Sequence, residues 1–279
     1  MINLKKYVSF VFVLFAMLAV VNAQKKPKIK GSRAVVEVSE SLPKFNAIHI
    51  KDDIEVSLKK SFEEGYLLTA DDNLTDIIKL EVQDGTLEVS SYYQVTSKKE
   101  LKLEIRYTSL NKLIVQNGVL VATDVLNADM LDINQYGNSK LDLNVSAIAI
   151  RLNVEEDAML KLNLDADSVS VMSRGKAKLD LNSRADKLSF EILDRSNVNV
   201  LGAAHEMQIA IFQDGKLDGE LFQVNHISLK AREESFVRIN AIEKVDLQLS
   251  GKSKTYLFSS PIINLSLFED SAQLHKKSN

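Results

Sequence analysis

Asp142, Lys161, Asp180, Asn199 and Asp218 recur every nineteen residues, and Arg238 follows after twenty. Carboxylates presented at a regular interval along one face could supply the acid and base that cleave a glycosidic bond. That chemistry needs two carboxyl groups ~5–9 Å apart. If each unit is one layer of a stacked sheet, Asp142 and Asp180 are two layers apart, roughly 9.6 Å. Distance alone therefore allows it. The intervening Lys161 argues against it, as do Lys140, Lys178, Lys216 and Lys254, which recur two positions upstream of the same column. Alternating charge keeps like charges from facing each other on a soluble parallel face, at ~0.2–1 kcal/mol per pair. A catalytic acid would also need one carboxyl shielded from water. The column is read as a structural ladder.

The other side chains offer less. The chain has no cysteine, so it has no disulfide, thiolate nucleophile, zinc-thiolate site or lipidated N-terminal Cys. No Gly-x-Ser-x-Gly, phosphate-loop or Gly-x-Gly-x-x-Gly motif occurs. His49, His205, His226 and His275 are scattered, without the spacing of zinc ligands. His205 and His226 fall about one layer apart and are read as surface neighbours. Calcium needs clustered oxygen ligands. Glu155-Glu156-Asp157 and Glu233-Glu234 lie four layers apart, roughly 19 Å, so they cannot share an ion. The sequence assigns no catalytic, cofactor-binding or metal-binding residue, and no cofactor.

The elements that position these columns come from one repeat. Leu131, Ile150, Val169, Leu188, Met207, Ile227, Val245 and Ile263 each open an apolar-polar-apolar-polar segment, at spacings of 19, 19, 19, 19, 20, 18 and 18. Period-2 alternation marks a strand with one buried face. Ten residues into most units a second such segment follows, at Leu141, Leu160, Leu179, Val198 and Leu217, and one residue off register at Val237. Turns such as Tyr136-Gly137-Asn138 and Arg174-Gly175-Lys176 lie between the two. Hairpins would show no constant repeat, and helices would show a period near 3.6. Two short strands per coil predict an all-β fold: a right-handed parallel β-helix, or β-solenoid, with coils of about nineteen residues. Asn144, Asn163, Asn182 and, after a break at Leu201 and Glu220, Asn240 are expected to stack at a corner, and Ala147, Ala166, Ala185 and Ala204 to line a tight bend.

Five segments follow. Residues 1–23 read as a secretory signal peptide: Lys5 and Lys6, an apolar run from Tyr7 to Val21, and Val21-Asn22-Ala23 before Gln24. The run is too short for a membrane anchor, and no later segment could span a bilayer. Cleavage removes two lysines and no acid, taking the net charge from −3 to −5. An acidic chain does not suit nucleic-acid binding. Residues 24–36 read as a basic linker, 37–107 as an irregular strand-rich part capping the stack, 108–270 as the solenoid, and 271–279 as a polar, fraying tail. A short helix is expected at Asp72–Ile78, capped by Asp72 or Asn73.

The pattern resembles the auto-transporter adhesin head, GIN-type domain family, common in exported proteins of Bacteroidetes-type bacteria. Phe45-x-x-Ile48-x-Ile50, Ile54-x-Val56-x-Leu58, Asp72-Asn73-Leu74 and Val82-x-Asp84-Gly85-x-Leu87-x-Val89 carry the resemblance at the start. Ser250-Gly251-Lys-Ser253, Tyr256 and Pro261 carry it at the end. It covers roughly Val38 to Pro261 and implies a β-helix and an adhesin-like role, with no catalytic residues. The corners depart from the family's glycine- and serine-rich pattern, with charged sequences such as Asp194-Arg195-Ser196 instead. The expected function is an exported, non-enzymatic module in the periplasm or at the cell surface, engaging an envelope or extracellular ligand, glycan or protein. The alternative is a carbohydrate-active β-helix enzyme, a polysaccharide lyase or hydrolase. The absence of tryptophan weighs against a sugar-stacking enzyme groove. A third reading, an envelope-stress sensor or scaffold, predicts the same residues as the first.

Overall fold

A computed structural model describes residues 26–277. The signal peptide and its cleavage before Gln24 lie outside the described residues. The N-terminal part comprises β1 (Lys28–Lys30), β2 (Val35–Ser41), β3 (Ala47–Ile50), β4 (Glu55–Lys60), β5 (Gly65–Asp71), β6 (Ile78–Gln83), β7 (Thr86–Ser91), β8 (Gln94–Ser97) and β9 (Leu101–Tyr107). The repeat comprises β10 (Lys112–Val115), β11 (Val119–Gln135), β12 (Lys140–Val154), β13 (Met159–Ser173), β14 (Lys178–Ile192), β15 (Asn197–Ile211), β16 (Lys216–Ala231) and β17 (Phe236–Leu249). It ends with β18 (Lys254–Phe258), β19 (Ile262–Phe268) and β20 (Gln273–Lys276).

Consecutive strands from β11 to β17 pair in parallel, each residue above its equivalent one coil earlier. Leu141, Leu160, Leu179, Val198, Leu217 and Val237 form one such buried column. Leu131, Ile133, Ile150, Leu152, Val169, Val171 and Phe190 are buried likewise, as are Leu143, Leu162 and Leu181. The interior is thus a filled β-solenoid core rather than a channel.

The coil is simpler than two separate strands. One strand runs from Met159 to Ser173 and bends where Asp167 and Ser168 are both exposed between buried Ala166 and Val169. Ala166 and Ala185 face into this bend, where their small side chains allow the close turn. The Asn column lies before the bend, within the strand and facing outward, rather than at a corner. Asn163 Nδ2 donates to Asn144 Oδ1 at 2.8 Å.

The tight corner sits between successive strands. Gly137, Glu156, Gly175, Asp194, Gln213, Glu233, Gly251 and Asp270 all occupy it with φ between 57° and 78°. This left-handed region favours glycine, yet five coils place another residue there. In four of the five the side chain explains why. Glu156 Oε2 accepts the Gly137 N–H at 2.7 Å, and Asp194 Oδ2 accepts the Gly175 N–H at 2.9 Å. Gln213 Oε1 and Asp270 Oδ2 do the same for Asp194 and Gly251. At these four corners the side chain therefore stitches its turn to the one before it. At the Asp214-Gly215 turn the left-handed residue is Gln213.

The irregular N-terminal strands form the first layers. β3 and β4 pair in parallel with β10 and β11 and so start the stack. β2, β5 and β9 add antiparallel pairings. β6 and β7 form a hairpin whose Asp84 and Gly85 both have positive φ, as a two-residue hairpin turn requires. The expected helix is a 3-10 helix over Asp72–Ile77, but its N-cap is Asp71, with no capping side-chain bond. The Asp71 carboxylate instead accepts backbone N–H groups of Arg33, Lys99 and Glu100, each at 3.1 Å.

Two segments read as loose are docked. In the basic linker, β1 pairs with β8, and Lys26 Nζ lies 2.6 Å from Asp52 Oδ1. In the polar tail, β20 pairs in parallel with β18. Both are polar because they cover one side only; their unpaired backbone groups still gain a ladder partner.

Two outcomes test this arrangement. Leu160→Ala should cost about 2–5 kcal/mol in a chemical denaturation series; a loss below about 0.5 kcal/mol would mean the register is wrong. The second concerns Asp71, which is fully buried. Burial would raise its pKa, but the three backbone N–H groups hold it below the ordinary value. The unfolded chain therefore takes up this proton more readily than the folded one, so acid favours unfolding. Asp71 should contribute stability above pH 3.8 and lose it as pH falls further. In Asp71→Asn, thermal melting should start lower at pH 7 and lose that part of its acid sensitivity.

Candidate functional site

With the core filled, any ligand meets an outer face. The face in question is built by the first residues of β12 to β18. Period-2 alternation sends Leu141 inward and therefore Lys140 and Asp142 outward. Parallel pairing then aligns Asp142, Lys161, Asp180, Asn199, Asp218 and Arg238 in one row.

Each aspartate of the row is engaged by its neighbour one coil on. Lys161 Nζ lies 3.2 Å from Asp142 Oδ2. Asn199 Nδ2 donates to Asp180 Oδ1 at 2.8 Å. Arg238 donates to Asp218 Oδ2 at 2.7 Å and also meets Glu220. The side chains of Asp142 and Asp218 are 51% and 40% exposed. Neither carboxylate is shielded from water as a general acid must be. The row has the geometry of a charge ladder.

The other sequence candidates separate in the same way. Glu155 takes a hydrogen bond from Arg174 Nε at 2.7 Å, while Glu156 is engaged at the corner. Glu234 lies 3.0 Å from Lys252 Nζ. These acids point to different partners and do not converge. His205 and His226 are indeed neighbours, with ring centroids 5.6 Å apart. His226 Nε2 lies 3.0 Å from Glu243 Oε2. Hydrogen bonds from Asn225 and His226 hold the Glu243 carboxyl below its usual range. Among the described residues, no group of three or more His, Asp or Glu side chains is arranged to hold a metal ion.

Shallow hollows mark the outer surface. One of about 580 Å³ follows the outward Asn144, Asn163 and Asn182, with Asp165 and Arg184 beside them. A second, of about 310 Å³, lies over Lys140, Met159 and Lys178. A third, of about 600 Å³, lies over Lys216, Phe236 and Lys254. Beside the third, Phe236 and Tyr256 approach to 5.4 Å between ring centroids, and Tyr256 stacks on His275 at 4.8 Å. The sequence reading missed this aromatic end of the face because it followed the row only to Arg238. Tyr256 and His275 are the next two residues of that row.

A family model described as "Putative auto-transporter adhesin, head GIN domain" matches residues 44–163 and again 148–261. A putative adhesin from Parabacteroides distasonis ATCC 8503 is similar in structure, with a TM-score of 0.67 and 14% identity over 90% of this chain and 100% of that one. A putative adhesin from Parabacteroides merdae ATCC 43184 gives 0.55 and 17% over 91% and 98%. A protein from Parabacteroides distasonis ATCC 8503 described as a putative lipid-binding protein gives 0.56 and 15% over 90% and 99%. At these identities the likeness shows a shared fold. No curated protein matches the chain.

Asp180→Asn should change stability by at most about 1 kcal/mol, and by less in high salt, because an exposed pair is screened. Asp180→Lys should be worse, since it places a lysine directly beside Lys161. A larger loss for Asp180→Asn than for Asp180→Lys, measured by denaturant titration, would contradict the ladder.

Proposed function

The chain belongs to the GIN-domain family of auto-transporter adhesin heads, and from that premise we propose that it is an exported, non-enzymatic module that binds an external ligand on its outer sheet. The observation that carries this reading is the outward row itself. Its carboxylates are solvent-exposed and engaged by side chains one coil away, which suits a rigid display surface. Export is supported by Lys5, Lys6 and the apolar run that follows, and the location proposed is the periplasm or cell surface. Among the described residues no helix is long and apolar enough to cross a membrane. A stack whose interior is filled offers a ligand faces and grooves rather than an internal cavity.

The protein recovered from cells should begin at Gln24 by mass spectrometry. That mature protein should bind polysaccharide or envelope protein in a panel assay without shortening any polysaccharide. Release of reducing ends from pectic, chitinous or β-glucan substrates, abolished in Asp142→Asn or Asp180→Asn, would overturn the reading in favour of an enzyme.

A further inference from the structure

Two residues upstream of the charge ladder runs a second row on the same face. Its members, aligned by the strand pairing, are Lys140, Met159, Lys178, Asn197, Lys216, Phe236 and Lys254. A ladder built only for charge balance would use these lysines to neutralise the aspartates beside them. It does not. Asp142 is engaged by Lys161, Asp180 by Asn199, and Asp218 by Arg238. Among the described residues, Lys140, Lys178, Lys216 and Lys254 make no ion pair, and all four are exposed. The acids are satisfied within their own row, which leaves a line of four cations pointing at solvent.

The line has a fixed period. A lysine stands on every second coil, so successive ammonium groups emanate from backbones roughly 9.6 Å apart. Between them stand Met159, Asn197 and Phe236: an apolar side chain, an amide and an aromatic ring. Two hollows of this face lie on the row, one over Lys140, Met159 and Lys178, with the paired Asp142 and Asp180 at its side, and one over Lys216, Phe236 and Lys254, with Glu234 held by Lys252. Phe236 leans on Tyr256, so the ring is held in place by a neighbour.

We propose that this row is a binding track for a linear acidic polysaccharide that carries one carboxylate or sulfate per disaccharide. An extended β-linked chain of that kind repeats its charge at close to the two-coil interval. Each anion would meet one lysine. The uncharged sugar between two anions would lie over Met159 or Phe236, where apolar and aromatic surface packs against its C–H face, or over the Asn197 amide. A nucleic-acid strand fits less well, because its phosphates recur at less than the two-coil interval. A neutral glucan leaves the four ammonium groups unanswered. The proposal rests on the adhesin reading and specifies its ligand class and site.

The test is binding of the mature protein to hyaluronan oligosaccharides, with polygalacturonate, neutral dextran and phosphatidylserine-containing vesicles in parallel. Hyaluronan fragments long enough to span four lysines should bind, and binding should weaken steeply as salt rises. The fourfold variant Lys140→Gln, Lys178→Gln, Lys216→Gln, Lys254→Gln should bind about tenfold more weakly or worse. Its thermal melting should match that of the wild type, since these lysines have no partner to lose. Lys187→Gln with Lys244→Gln, which removes two cations elsewhere, should bind as the wild type does. Phe236→Ala should weaken binding without changing its salt dependence. Hyaluronan binding that is unchanged in the fourfold variant would overturn the track while leaving the adhesin reading intact. Binding to dextran as tight as to hyaluronan, or to the vesicles alone, would also overturn it. Depolymerisation of the bound chain would overturn the adhesin reading itself.

Discussion

Parallel strands stay in register only if every coil returns to its corner at the same height, and here the return is set by one left-handed residue per coil. Where that residue is glycine, the corner is reached without steric cost. Where it is Glu156, Asp194, Gln213 or Asp270, a backbone cost is accepted, and a side-chain oxygen takes an N–H from the corner one coil earlier. Such bonds do not extend the sheet. They tie the turns together along the stack, where the strand ladder is interrupted and backbone groups would otherwise face water.

Once the corners agree, every other regularity follows. Equal path length puts like positions above one another, so leucines fill continuous columns and the outward residues interact chiefly with their own equivalents. Departures are absorbed locally. The twenty-residue coil is accommodated by a register irregularity between Asn199 and Gly202, opposite which Leu221 stands 71% exposed. The extra residue is pushed outward because the packed interior has no room for it. The Asn column ends one coil earlier, where the pairing is regular and Leu201 is the residue in register with Asn182.

The ends of the stack follow different rules. A parallel edge left open invites pairing with another chain. At the N-terminal end, antiparallel strands and the Asp71 clamp tie down the segment that would otherwise leave the edge exposed. At the other end, Ile263, Leu265 and Phe268 continue the inward columns of Val245, Leu247 and Leu249 but remain exposed.

Much of this was legible in the residues before any coordinates. The nineteen-residue period and the inward columns follow from period-2 alternation and constant spacing, because both are properties of sequence alone. The family motifs pointed to the same fold. What the sequence could not determine was which of two nearby partners each charge would choose. Asp142 stands two residues from Lys140 and nineteen from Lys161, and only the coil-to-coil spacing makes the distant residue the nearer one. The corner carboxylates looked like surface charge until the backbone showed their residues in left-handed conformation. The basic segment before Val35 and the polar segment after Ser271 looked loose because their composition lacks a hydrophobic face. Tertiary structure decided otherwise, since a strand with one neighbour needs backbone partners more than it needs apolar side chains.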